Sequence, residues 1–214
     1  MFYWPYYYQV TSDYYRAKQM NSQIRVFHAS PNSPAVDLYA NGNMIVRNLS
    51  YKEVSQYLPV PAGTYNITVY PTGQMNNPVI NTMLSIPENS VFTVAAIGTL
   101  PGIGLFPIPE PMMGEKSGRS CVRFVHLSPN APAVDIRLED GTNVFNNVSY
   151  MGITDYACVP AGSYNFNVNV AGTNNTVLTV PNVRLDDNKY YTIYAVGLVG
   201  MSPPLDAVLL TEPR

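Results

Sequence analysis

Charge is scarce in this chain: Asp, Glu, Lys and Arg make up 12% of its 214 residues, about half the usual share for a globular protein. A formal net charge of −2 excludes an electrostatic footprint for nucleic acid or an anionic membrane surface. It also leaves little self-repulsion to hold copies of the chain apart. No run approaches the ~20 apolar residues that a membrane-spanning helix needs. Residues Met1-Phe2-Tyr3-Trp4-Pro5-Tyr6-Tyr7-Tyr8 carry neither a basic region nor an aliphatic core. A secretory leader is therefore not expected, and synthesis in the cytosol is. Helical periodicity is missing as well: outside the first residues, no segment of ten or more places apolar side chains three and four apart.

What the chain does have is a repeat. Arg25-Val26-Phe27-His28-Ala29-Ser30-Pro31-Asn32-Ser33-Pro34-Ala35-Val36-Asp37 returns as Arg123-Phe124-Val125-His126-Leu127-Ser128-Pro129-Asn130-Ala131-Pro132-Ala133-Val134-Asp135. Val60-Pro61-Ala62-Gly63-Thr64-Tyr65-Asn66 returns as Val159-Pro160-Ala161-Gly162-Ser163-Tyr164-Asn165, and the match ends near Gly98 and Gly197. The offset is 98 residues at the histidines and 99 afterwards, a single insertion of the kind that a hairpin loop tolerates. Two homologous units in tandem follow.

Inside each unit the period is two. Tyr65, Ile67 and Val69 alternate with Thr64, Asn66 and Thr68; Tyr164, Phe166, Val168 and Val170 alternate with Ser163, Asn165, Asn167 and Asn169. Such alternation describes half-buried strands with amide-rich outer faces. Further strands are expected at 24–29, 35–40, 44–47, 79–86 and 91–97, and at 121–127, 134–138, 143–147, 176–180 and 190–196. Residues in the first half of 101–119 and Leu205 to Leu210 are expected to add an edge strand to each unit. The fold class expected is all-β: two tandem antiparallel β-sandwiches, transthyretin-like or immunoglobulin-like. The organisation expected is a tail at 1–22, a sandwich at 23–111, a linker at 112–119 and a second sandwich at 120–214.

His28 with Asp37, and His126 with Asp135, invite a catalytic or metal-binding reading, because a His–Asp pair is a common acid–base unit. Strand parity favours structure. His28 shares a face with Ile24 and Val26, and His126 with Val122 and Phe124. A histidine there points inward and bonds through a ring nitrogen to the adjacent proline-rich loop, whose carbonyls lack ladder partners. One His and one Asp also fall short of the ligands that zinc requires. Ser30 and Ser128 each precede a proline and lack a nucleophile-elbow context. No catalytic residue, metal or other cofactor is expected, and the chain is read as non-enzymatic. In the Pro-Ala-Gly-x-Tyr turn, Gly63 and Gly162 are expected to adopt positive φ and send Tyr65 and Tyr164 into the core. Cys121 and Cys158 have Gln23 and Pro59 as counterparts, so they stand outside the common frame and are not expected to be required for folding. A bridge between them, or between subunits, in an oxidising layer is left open.

The motif His-x-Ser-Pro-x-x-Pro-x-Val-Asp, followed by Val-Pro-Ala-Gly-x-Tyr, resembles the bacterial domain family of unknown function numbered 4397, over both repeats. The resemblance implies a surface, envelope or secreted module, and it implies no activity.

The N-terminal stretch matches nothing in the repeats. Its aromatic residues Phe2, Tyr3, Trp4, Tyr6, Tyr7, Tyr8, Tyr14 and Tyr15 have no layer of their own to pack on. They are expected to drive assembly by docking on a neighbouring subunit, with the sheet edge as acceptor. The function expected is that of a structural, self-assembling protein of a bacterial surface layer: a spore coat, exosporium or spore appendage. Its partners would be itself or other surface-layer proteins, after deposition from the cytosol onto the spore or cell surface. The alternative is a surface binding module that recognises a glycan or a protein.

Overall fold

The computed structural model describes residues 22–111 and 118–212. It is all-β, with no helix among the described residues. Eight strands precede the linker: β1 (Ser22–His28), β2 (Val36–Ala40), β3 (Asn43–Leu49), β4 (Leu58–Val60), β5 (Gly63–Pro71), β6 (Ile80–Ile86), β7 (Val91–Ile97) and β8 (Gly104–Glu110). Eight follow it: β9 (Ser120–His126), β10 (Val134–Leu138), β11 (Asn143–Val148), β12 (Ala157–Val159), β13 (Gly162–Val170), β14 (Thr176–Leu185), β15 (Tyr190–Val196) and β16 (Asp206–Thr211). β1 begins at Ser22, one residue inside the expected tail, and the hydroxyl of Ser22 donates to the Pro87 carbonyl. The aromatic residues Phe2 to Tyr15 and the linker residues 112–117 lie outside the described residues.

Each repeat forms two four-stranded sheets, ordered β4-β1-β7-β8 and β3-β2-β5-β6 in the first, and β12-β9-β15-β16 and β11-β10-β13-β14 in the second. No sheet mixes strands from the two repeats. The ladders are antiparallel except for one pair in each repeat: β1 runs parallel to β7, and β9 to β15. That pairing joins the first strand of each repeat to its penultimate one. Two strands were not expected from the sequence, β4 and β12. Each has three residues, too few for alternation to register, and Pro59 interrupts the first.

Alternation decides the core. Ile24, Val26, Leu38, Ile67, Val69, Leu84, Val94 and Ala96 belong to one buried cluster between the first two sheets. Val122, Phe124, Ile136, Phe166, Val168, Leu185 and Ile193 do the same in the second repeat. Each of the larger of these side chains contributes about 1.5–3 kcal/mol on full burial. A third cluster joins the repeats to each other: Phe27, Ala29, Ala95, Ile97 and Ile108 from the first meet Val125, Leu127, Tyr194 and Val196 from the second. The Phe27 and Tyr194 rings lie 5.1 Å apart. β1 and β9 are thus buried on both faces, because their second face packs on the other sandwich and not against water.

The Pro-Ala-Gly turn meets expectation in one repeat and departs from it in the other: Gly63 takes a positive φ of 153°, whereas Gly162, which opens β13, is not in the positive-φ region. Tyr65 and Tyr164 are half-buried. They lie over the end of the core, and their hydroxyls donate to the carbonyls of Pro61 (2.7 Å) and Pro160 (2.8 Å).

Cys121 and Cys158 face each other across β9 and β12 and are joined by a disulfide. In repeat one the same cross-strand position holds Gln23 opposite Pro59. The first sandwich reaches the same strand order without a bridge.

Candidate functional site

The repeated motif ends β1 and β9, and each of its polar side chains ties down a different segment. His28 is fully buried, and its Nε2 donates to the Pro34 carbonyl at 3.0 Å. His126 is fully buried too, with Nε2 donating to Pro132 at 3.1 Å while Nδ1 accepts from the Ser128 amide. Ser30 Oγ donates to the Gly98 carbonyl at 2.6 Å, and Ser128 Oγ to Gly197 at 2.7 Å, which pins the loop to the end of β7 or β15. Asp37 accepts the amides of Asn48 (2.7 Å) and Gly73 (2.9 Å); Asp135 accepts those of Asn147 (2.8 Å) and Gly172 (2.9 Å). Asn48 and Asn147 need that anchor, because both sit at positive φ where the β2–β3 and β10–β11 registers shift.

The histidine and aspartate of each motif therefore serve separate loops. Among the described residues no three His, Cys, Asp or Glu side chains gather. Burial holds both imidazoles below the ordinary histidine value, against the Pro34 and Pro132 carbonyls, which pull the other way. Burial acts to raise the Asp37 carboxyl, but its amide donors outweigh that and hold it low. For Asp135 the amides of Asn147 and Gly172 lead, and the result is the same. A neutral histidine sealed from solvent and bonded to backbone has no route to a substrate.

These shifts have a consequence for pH. The unfolded chain binds protons at its histidines near pH 6.5, whereas the folded chain resists until lower pH. The stability that they contribute is complete above pH 6.5 and is lost as pH falls through the depressed folded values. Thermal melts from pH 7.5 to 5 are expected to show the midpoint falling on acidification. The His28→Asn/His126→Asn variant, whatever its starting stability, is expected to lose most of that slope. An unchanged slope would contradict the burial of the neutral rings.

Between the repeats lies a polar pair that sequence reasoning missed. Arg25 pairs with Glu110 at 3.0 Å, and both side chains are almost fully buried. Its Nε donates to Thr93 at 2.8 Å and its guanidinium lies over the Tyr57 ring, while Tyr57 and Thr93 donate to the same carboxylate. Repeat two copies this with Arg123, Glu212, Thr192 and Tyr156. Each arginine also reaches across: Arg25 Nη1 donates to the Thr211 carbonyl at 3.0 Å, and Arg123 Nη1 to Pro109 at 2.8 Å. Burial pushes the Glu110 carboxyl up, against the pull of Arg25. Burial and the Glu110 bond keep the Tyr57 hydroxyl protonated well above the usual phenol range. The signal was present in the sequence, since Arg25, Tyr57 and Glu110 recur as Arg123, Tyr156 and Glu212 in a chain with few charges.

At one end of this interface, loops from both repeats bound a cleft of about 360 Å³ lined by Asn32, Thr99, Leu100, Asn130, Leu198 and Met201. Asn32 donates across it to the Ser202 carbonyl (2.7 Å), and Asn130 is bonded to the backbone of Val199.

The chain matches one family model, described as a domain of unknown function (DUF4397), over residues 22–137 and 138–214. The sheets divide between β8 and β9, upstream of the point where those matches meet. No curated protein matches it in sequence. Among solved structures it is similar to CBMbc, of family CBM26, from Eubacterium rectale Amy13K, crystallised with maltoheptaose: 10% identity, 91% of this chain and 98% of that one, TM-score 0.29. It is also similar to the Bacillus anthracis TIE protein: 16% identity, TM-score 0.25, 84% of this chain and about a third (34%) of that one. Neither likeness carries an argument about what this chain binds.

Proposed function

Because the chain belongs to the DUF4397 family of domains of unknown function, we propose that it is a non-enzymatic building block of a bacterial surface layer, such as a spore coat, exosporium or spore appendage, and that it assembles through its aromatic N-terminal segment. The observation that carries the reading is the internal use of both motifs. His28, Ser30 and Asp37, with His126, Ser128 and Asp135, each hydrogen-bond to the chain's own backbone. What the repeat encodes is then a scaffold, two sandwiches joined through a buried apolar and ionic interface. The low net charge favours packing of such units against each other.

The segment Phe2 to Tyr15 supplies the adhesive part. Burial of several of its rings, at about 1.5–3 kcal/mol each, offsets the ordering of a short segment. Light scattering at matched concentrations compares the full chain with a version that starts at Asn21. The full chain is expected to associate and the shortened chain to remain monomeric; equal behaviour of the two would remove the segment from the account.

A second reading is favoured by the cleft between Asn32 and Asn130: recognition of a glycan or a protein segment at the junction of the repeats. A glycan array distinguishes it. A binding module gives a monodisperse protein with a defined glycan signal, whereas a building block gives association with no ligand added.

A further inference from the structure

The repeats differ in side-chain size at the end of the sandwich where each first strand begins. In repeat one a cavity of about 220 Å³ opens between the sheets, walled by Ile24, Ala40, Ile45, Val60, Ile67 and Leu84. The exposed Asn41, Asn43 and Pro61 stand around it. Register explains its origin: Ala40 lies opposite Ile67, and the equivalent pair in repeat two is Leu138 opposite Phe166. The larger side chains of that pair pack onto the second core, where Ala40 and Ile67 leave space.

The cavity is apolar, and its size suits an aromatic ring, since about 150 Å³ of apolar cavity suffices for benzene. The chain holds a matching occupant in the residues that precede the described fold. β1 begins at Ser22, paired with Val60 on the cavity wall, two residues before Ile24. The thirteen residues from Gln9 to Asn21 can span up to about 45 Å when extended, enough for the aromatic run to reach a second copy.

We propose that this cavity is the acceptor site for the Phe2–Tyr8 segment of a second copy of the chain. The proposal rests on the assembly reading above and names its contact. Each chain then offers its donor segment to the repeat-one cavity of another. The contact is heterologous and propagates from copy to copy unless two chains exchange segments reciprocally.

Trp4 is the chain's single tryptophan, so its emission reports the segment alone. The experiment follows that emission and light scattering over a concentration series, in the full chain and in the Ala40→Leu/Ile67→Phe variant. The variant installs a pair that the second repeat already accommodates. In the wild type the emission is expected to move to shorter wavelength as association proceeds. In the variant it stays at the solvent-exposed position, with association weaker by about tenfold or more. A free peptide of residues 1–9, added in excess to the wild type, is expected to suppress association, which keeps the test decisive if the variant does not fold. A variant that associates and shifts like the wild type overturns the proposal but leaves the assembly reading standing. A blue-shifted emission that does not depend on concentration places the segment in its own chain's cavity and overturns it as well. Absence of association at every concentration defeats the proposal and the assembly reading together.

Discussion

Replacing Glu110 by Ala is expected to lower stability by about 3–5 kcal/mol, the usual cost of stranding one partner of a buried ion pair. The Glu110 side chain is wholly buried and the Arg25 side chain nearly so. The substitution leaves the guanidinium with Thr93 and the Thr211 carbonyl as partners and no countercharge of its own. Tyr57 loses its acceptor at the same time. Because Arg25 also bonds the other repeat, the damage reaches the interface, and Glu212→Ala should act alike through Arg123 and Pro109. An Arg25→Met/Glu110→Leu double variant is expected to recover much of the loss, since a well-packed apolar pair avoids the desolvation of both charges. Denaturant melts decide the matter: a loss below about 1 kcal/mol for Glu110→Ala would mean that water reaches the pair. The exposed Lys52–Asp206 pair, 2.5 Å apart, is a natural control, because surface ion pairs contribute about 0–1 kcal/mol.

Gly197→Ala is expected to be comparably damaging, at about 2–5 kcal/mol, from a strained backbone and a steric overlap that add. Its φ is +87°, and a Cβ there would lie 2.1 Å from the Pro204 carbonyl oxygen. Backbone would have to move, and the Gly197 carbonyl is also the acceptor for Ser128 of the motif. Gly98 is the equivalent position, with φ +85° and a Cβ that would lie 2.7 Å from the Gly102 oxygen, so Gly98→Ala should cost less. Gly172 has φ +72° with nothing within 4 Å, and Gly172→Ala should cost only the backbone share of about 1–2 kcal/mol. Melting temperatures are therefore expected to fall in the order Gly197, Gly98, Gly172, and a reversed order would contradict the packing of the two loops.

Much of the fold was legible because the sequence states it twice. Period-two alternation places β5 and β13 directly, and the offset of the repeat aligns Cys121 and Cys158 with Gln23 and Pro59, residues that prove to be cross-strand partners in both halves. The histidines were legible from parity, since Ile24 and Val26 on the same face had to be inside. The second buried face of β1 was not. Parity says nothing of what covers Arg25 and Phe27 on the other face, and only a second sandwich against them turns these residues into an interface. Parallel pairing of β1 with β7 was also hidden, because alternation fixes which face a residue takes and not the direction of its neighbour. The acceptor cavity depends on Ala40 and Ile67 standing opposite each other, a relation that the ladder register supplies and linear spacing does not.

The central claim is that a two-sandwich unit, its motifs occupied by its own architecture, assembles without a ligand. Negative-stain microscopy of the purified full chain, with no glycan or partner added, tests it most directly. The account predicts ordered polymers or layers whose subunit matches the two-sandwich unit; uniformly dispersed single particles at every concentration and salt condition would contradict it.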